Sequence, residues 1–137
     1  MFELTMNKHC KAPVERVFAA WSTADLVKRW FAPGDMSVPE AAVDFRVGGS
    51  YRIVMQRPDG QQHIVSGVYR DIVQNERLCF TWCWEGSGVT SDVEIAFRPD
   101  GEQSDFTLVH RQLASAEARD MHRQGWEGCL AKLLALN

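Results

Sequence analysis

The chain reads as an α+β domain in which an antiparallel sheet bends around one long C-terminal helix. Three features predict this. Residues 114–137 carry sustained helical periodicity. From Met36 to Arg111 the sequence alternates apolar and polar at period two, broken by short Gly/Asp/Pro turns. Two short aromatic-rich helical segments separate a first strand from that run. Helices gathered on one face of an antiparallel sheet are the α+β arrangement. The 137 residues suit one domain, 1–137. A chain of this size buries about two-thirds of its unfolded surface and needs no staples.

Residues 2–10 open the chain as a strand, with Phe2, Leu4 and Met6 alternating with Glu3, Thr5 and Asn7. Proline suits the start of a helix, and Pro13 precedes Val14, Val17, Phe18 and Trp21 at helical spacing. Ser22 or Thr23 caps a second short helix carrying Leu26, Val27, Trp30 and Phe31, which Pro33-Gly34 ends. Such short helices are not stable alone and are expected to plug one end of the sheet.

The strands follow in succession. Val43, Phe45 and Val47 form one face of the first of the run, ended by Gly48-Gly49, and Tyr51, Ile53 and Met55 form the next, up to Pro58-Asp59-Gly60. His63–Val73 contains Gly67, a candidate bulge or bend. Leu78, Phe80, Trp82 and Trp84 share a face; so do Val89, Val93, Ile95 and Phe97, and then Phe106, Leu108 and His110. Six strands with short turns predict a meander, and the first strand adds as a seventh.

In the last helix Met121, His122, Gly125, Trp126, Cys129, Leu130, Leu133 and Leu134 recur at three- and four-residue steps, with Ser115 as N-cap and Glu117 and Asp120 at the positive end of the dipole. The helix is roughly 30 Å long. Each interior glycine costs about 1 kcal/mol against alanine, so Gly125 and Gly128 need a reason: close packing on another element, or the wall of a cavity.

Composition excludes several classes. A net charge of −3 offers no basic stripe for nucleic acid. No apolar run is long enough to insert in a membrane, and the N-terminus shows no basic and apolar leader, so the expected location is cytoplasmic. Cys10, Cys79, Cys83 and Cys129 are scattered without a CxxC; Cys79 and Cys83 stand about 13 Å apart along a strand, so reduced thiols packing as small apolar groups are expected. No GxSxG, Walker loop or GxGxxG is present, and two histidines without a third ligand do not make a zinc site. No cofactor and no metal are expected.

The ordered set Ala12-Pro13-Val14-Glu15-Arg16-Val17-Phe18-Ala19-Ala20-Trp21, Trp30, Asp44-Phe45-Arg46-Val47-Gly48-Gly49-Ser50-Tyr51, Gly67-Val68-Tyr69, Glu76-Arg77-Leu78-Cys79-Phe80-Thr81-Trp82, and His122, Gly125, Trp126 and Leu130 resembles the AHSA1-like branch of the START/Bet v 1-like (SRPBCC) superfamily. The resemblance implies a helix-grip fold: a seven-stranded antiparallel sheet curved around a long C-terminal helix, two short helices after strand 1, and a hydrophobic pocket between sheet and helix. It implies no single shared catalytic motif. The family's name refers to activation of the chaperone Hsp90, work to which a further N-terminal domain contributes in the eukaryotic co-chaperone.

His110 follows Phe106 and Leu108 on the apolar face and should point inward, as a hydrogen-bonded core histidine or as a polar handle that orients a ligand or moves a proton. His122 lies one turn before Trp126, which brings both histidines toward one space; they are the candidate acid or base. Asp44 and Arg46 share the other face of their strand and are expected either to pair with Arg52 or other neighbours across strands at the surface, or to place a charge at the pocket mouth. The aromatic residues close the core or line an apolar pocket for a flat or lipid-like molecule, with Met36, Met55 and Met121 as an adaptable wall. The candidate ligand-binding set is Trp30, Tyr51, Met55, Tyr69, Phe80, Trp82, Trp84, Phe97, His110, His122 and Trp126.

Three functions follow from these readings. The first is a binding domain for an apolar or aromatic small molecule. The second is a cyclase- or hydratase-type enzyme using an inward histidine in the same cavity. The third is a protein-interaction module, including one that binds a chaperone. A homodimer through an open sheet edge is a further expectation.

Overall fold

The computed structural model describes residues 1–136. Its elements are β1 (Phe2–Cys10), α1 (Val14–Ala19), α2 (Ala24–Val27), β2 (Ser37–Val43), β3 (Ser50–Gln56), β4 (Gln62–Val73), β5 (Arg77–Trp84), β6 (Thr90–Asp100), β7 (Gln103–Leu113) and α3 (Ala116–Ala135). All pairings are antiparallel, in the order β1-β7-β6-β5-β4-β3-β2. The meander and the seventh strand are as the periodicity predicts. The open sheet curves around α3, the helix-grip arrangement.

The inward face follows from the period of two. Ile53, Met55, Val65, Leu78, Phe80, Val93, Ile95, Phe106 and Leu108 are buried from the sheet, and Trp126, Leu130 and Leu133 are buried from α3. Ser115 caps α3 by accepting from the Ala118 amide at 3.0 Å. The helix is tied to both flanks of the sheet. Glu127 pairs with Lys8 at 2.9 Å and Arg123 donates to the Thr5 carbonyl at 3.4 Å on β1, while Lys132 donates to the Met36 carbonyl at 3.1 Å just before β2.

The short helices form a plug through one bond that joins them: the Trp30 indole donates to the Ala20 carbonyl at 3.0 Å. Helix α2 ends at Val27, so Trp30 and Phe31 lie in the turn after it, and Trp21, Trp30 and Phe31 pack together there. Of the two candidate caps, Thr23 is the one used, accepting from the Leu26 amide.

Several expected positions are corrected. The strand expected over Val43–Val47 runs instead from Ser37 to Val43. Phe45 and Val47 fall in a turn closed by Arg46 N–H to the Asp44 carbonyl and Gly48 N–H to the Tyr69 carbonyl, with Gly48 at a φ of 85°. Phe45 still faces the core, against Phe18 and Tyr69, but Val47 is exposed. Val89 sits in the β5–β6 turn and is exposed. Phe2 is exposed on one side, under the Arg119 guanidinium, because β7 carries a bulge there: Leu4 faces His110 while Phe2 faces Leu113, with Gln112 at a φ of 64°. Arg46 pairs with Asp44 in the turn, and Arg52 pairs with Glu85 instead.

Gly67 marks a close approach rather than the bulge, which falls between Tyr69 and Asp71. A Cβ at Gly67 would collide with the Thr81 carbonyl and the Tyr51 ring; the Tyr51 hydroxyl donates to that same carbonyl at 2.6 Å. The edge strand β2 contains Pro39 at an irregularity of its pairing, which blunts that edge for strand addition. No helix among the described residues is long and apolar enough to cross a membrane.

Candidate functional site

A cavity of about 330 Å³ opens between the sheet and the middle turns of α3. Its wall is Phe31, Pro33 and Met36 after α2, Met55 on β3, His63 on β4, Trp82 and Trp84 on β5, and Met121, His122, Gly125, Trp126 and Cys129 on α3. Alternation along β5 turns Trp82 and Trp84 to the same side, and their rings meet edge to face at 5.4 Å. Trp126 reaches down from α3 to within 5.1 Å of the Trp82 ring. Lining groups are aromatic, thioether or aliphatic apart from two imidazoles and a thiol. Burial pushes the Cys129 thiol up to about 12, so it remains protonated.

The two glycines of α3 have different reasons. A Cβ on Gly128 would lie 2.6 Å from Pro33 Cβ, so this glycine admits the post-α2 loop against the helix. A Cβ on Gly125 would meet nothing within 4 Å, and this glycine lines the cavity. Met121, one turn earlier, stands at the cavity with most of its side chain exposed, because the helix there lies over space rather than over the sheet.

Behind the wall lies a polar relay whose proton positions are fixed by donor chemistry. An indole can only donate. The Trp126 indole gives its proton to His110 Nδ1 at 3.1 Å, so His110 carries its own proton on Nε2 and donates it to Ser91 Oγ at 2.7 Å. Ser91 in turn donates to the Trp82 carbonyl at 3.4 Å. The Trp84 indole donates to His122 Nε2 at 3.0 Å, which leaves His122 Nδ1 to donate to the Ala118 carbonyl at 2.6 Å. The two imidazole centroids are 5.0 Å apart. Burial, with His122 as a neighbour, holds His110 down at about 3, so it is neutral at any ordinary pH. All four ring nitrogens are engaged, and neither histidine presents a lone pair or a spare proton to the cavity.

Residues 11–136 match the family described as activator of Hsp90 ATPase homolog 1-like protein. The chain belongs to this family. An AHSA1 protein from Silicibacter pomeroyi is 29% identical, with 98% of this chain and 96% of that one covered at a TM-score of 0.89. A protein from Chromobacterium violaceum is 25% identical over 99% and 97% of the two chains, with a TM-score of 0.90. An uncharacterised protein from Rhizobium leguminosarum is 30% identical over 98% and 92%, with a TM-score of 0.76. No curated protein matches the chain.

Within this AHSA1-like fold, the sequence-derived candidates divide by depth. Met55, Trp82, Trp84, His122 and Trp126 are brought together on the cavity wall. Tyr51, Tyr69 and Phe80 gather lower down around a second void of only about 10 Å³, room for roughly one water. Trp30 is fixed in the helical plug, and Phe97 packs between Phe18 and Phe106; neither reaches either void. His110 is fully buried behind Trp82 and Trp126, so it supports the wall rather than forming it. Period two turns the strand residues of this set inward, and helical steps do the same for His122 and Trp126, but neither pattern carries information on how far along a strand the helix stops covering them. Phe31, Pro33, His63 and Cys129 were not among the candidates. His63 shares the inward face of β4 with Val65, and that alternation was the signal available for it.

Proposed function

We propose that this AHSA1-like domain binds one small apolar or aromatic molecule between its sheet and α3, and that it does so as a cytoplasmic protein. The single observation that carries the reading is the unfilled space beside three tryptophans. A core normally closes to crystal-like density, yet Trp82, Trp84 and Trp126 border about 330 Å³ that the protein's own side chains leave unfilled. That volume lies within the range of small-molecule sites. The engaged nitrogens of His110 and His122 favour binding over acid–base chemistry at those two residues. Cys79, Cys83 and Cys129 carry no disulfide, which suits a reducing compartment.

The test uses N-phenyl-1-naphthylamine, an uncharged aromatic probe that brightens in apolar surroundings. Saturable one-to-one binding is expected, with a rise in melting temperature that grows with probe concentration; at one hundred times Kd the gain is about 2.7 kcal/mol. Gly125→Leu projects a side chain into the cavity without meeting other atoms at its Cβ, so it should abolish binding while the protein stays folded. Unchanged probe affinity in that variant would remove the reading.

A further inference from the structure

We infer that the molecule held in this cavity carries one carboxylate at the end of an apolar body, and that His63 is the group that receives it; this rests on the cavity being a binding site. Every other polar side-chain group on the wall is spoken for or shielded. The imidazole of His122 is bonded at both nitrogens, and the Trp84 and Trp126 indoles donate to histidines. The Cys129 thiol is buried and protonated. The Trp82 indole N–H has no partner, but it is screened from solvent. His63 differs: it lines the cavity, is half-buried, and neither of its ring nitrogens has a hydrogen-bond partner among the described residues.

Its placement gives a ligand a direction. His63 faces Met55 across the β3–β4 ladder, one pair in from the turn that closes the hairpin, with the Trp84 ring 6.5 Å away. An apolar body lying against Trp82 and Trp126 would leave its polar end near this imidazole. A carboxylate fits better than an ammonium group there. The wall contains no acidic residue, whereas an imidazole donates to an anion whether it is neutral or protonated. The adjacent acid along the strand end is Glu85, whose amide bonds to the Ile64 carbonyl, and its carboxylate is already paired with Arg52 at 2.7 Å.

The experiment compares 2-naphthoic acid with 2-methylnaphthalene, measured by displacement of N-phenyl-1-naphthylamine at neutral pH. Wild type should prefer the acid by about ten-fold, the size of one hydrogen bond to a charged group. His63→Leu should erase that preference, read as the ratio of the two affinities within each variant, and His63→Gln, which keeps a donor, should restore part of it. Binding of both compounds with no preference, or a preference that survives in His63→Leu, would overturn the carboxylate assignment alone. Failure of wild type to bind 2-methylnaphthalene or the displaced probe would instead strike the cavity reading beneath it.

Discussion

Trp82→Phe and Trp126→Phe are nearly the same truncation made in opposite polar circumstances. Both indoles border the one cavity, and both are almost fully buried, at 5% and 2% exposure, so the loss of packing should be similar. The hydrogen-bond consequences differ in sign. Trp126→Phe deletes the donor to His110 Nδ1. His110 cannot recover by changing tautomer, because moving its proton to Nδ1 creates a buried donor with no acceptor in place of an orphaned acceptor. Either way one nitrogen is stranded, at a cost of about 1–3 kcal/mol. Trp82→Phe deletes an N–H that is already buried without a partner, so it removes a penalty of the same order instead of creating one. Trp126→Phe should therefore be less stable than Trp82→Phe by about 2–6 kcal/mol, read as the difference in urea-unfolding free energy between the two variants. Equal losses, or a greater loss for Trp82→Phe, would show that the relay through His110 contributes nothing net.

Two further outcomes follow from the same wall. His110 is held neutral in the fold with its pKa near 3, against 6.5 in the unfolded chain. The unfolded state therefore takes up the extra proton as pH falls, and stability declines between pH 6.5 and 3, by roughly 2 kcal/mol at pH 5. Exposed His9, whose pKa is raised by its hydrogen bonds to Asp105 and Gln103, acts in the opposite direction, but in full contact with solvent. Urea midpoints at pH 7 and pH 5 should converge in His110→Gln relative to wild type. In α3, Gly125→Ala should stabilise by up to about 1 kcal/mol through helix propensity alone. Gly128→Ala, whose Cβ must displace Pro33, should instead lose about 1–3 kcal/mol to overpacking. The pair is read by thermal unfolding, and equal shifts would contradict the separate roles assigned to the two glycines.

Much of the architecture was legible because period and turn chemistry are local properties. Alternation from Tyr51 to His110 and the Gly/Asp turns determine which side chains face inward, whatever the rest of the chain does. The boundaries that misread were places where a non-local contact decides. Phe45 continues the strand alternation, yet the Gly48 amide bonds to the Tyr69 carbonyl on β4, and that bond holds the backbone out of the ladder. Met121 keeps the helical spacing, yet most of its side chain is exposed, because the helix there stands over the cavity rather than over packed sheet.

The cavity itself is the plainest case of what spacing cannot carry. Trp82 and Trp126 were legible as inward residues, but whether inward means filled or open depends on the third body that comes between sheet and helix. Here that body is the Trp30–Phe31 plug and the Pro33 loop, held against α3 at Gly128 and tied by Lys132 to the Met36 carbonyl. Gly128 and Gly125 are three residues apart and chemically identical. The first lets the loop close one end, and the second keeps a side chain out of the other. A sequence can show that both positions lack a Cβ; only the placement of Pro33 separates a glycine that permits contact from one that preserves space. Crowding the gap with a side chain at Gly125 should therefore change what binds without changing the fold, whereas the same substitution at Gly128 should act on stability first.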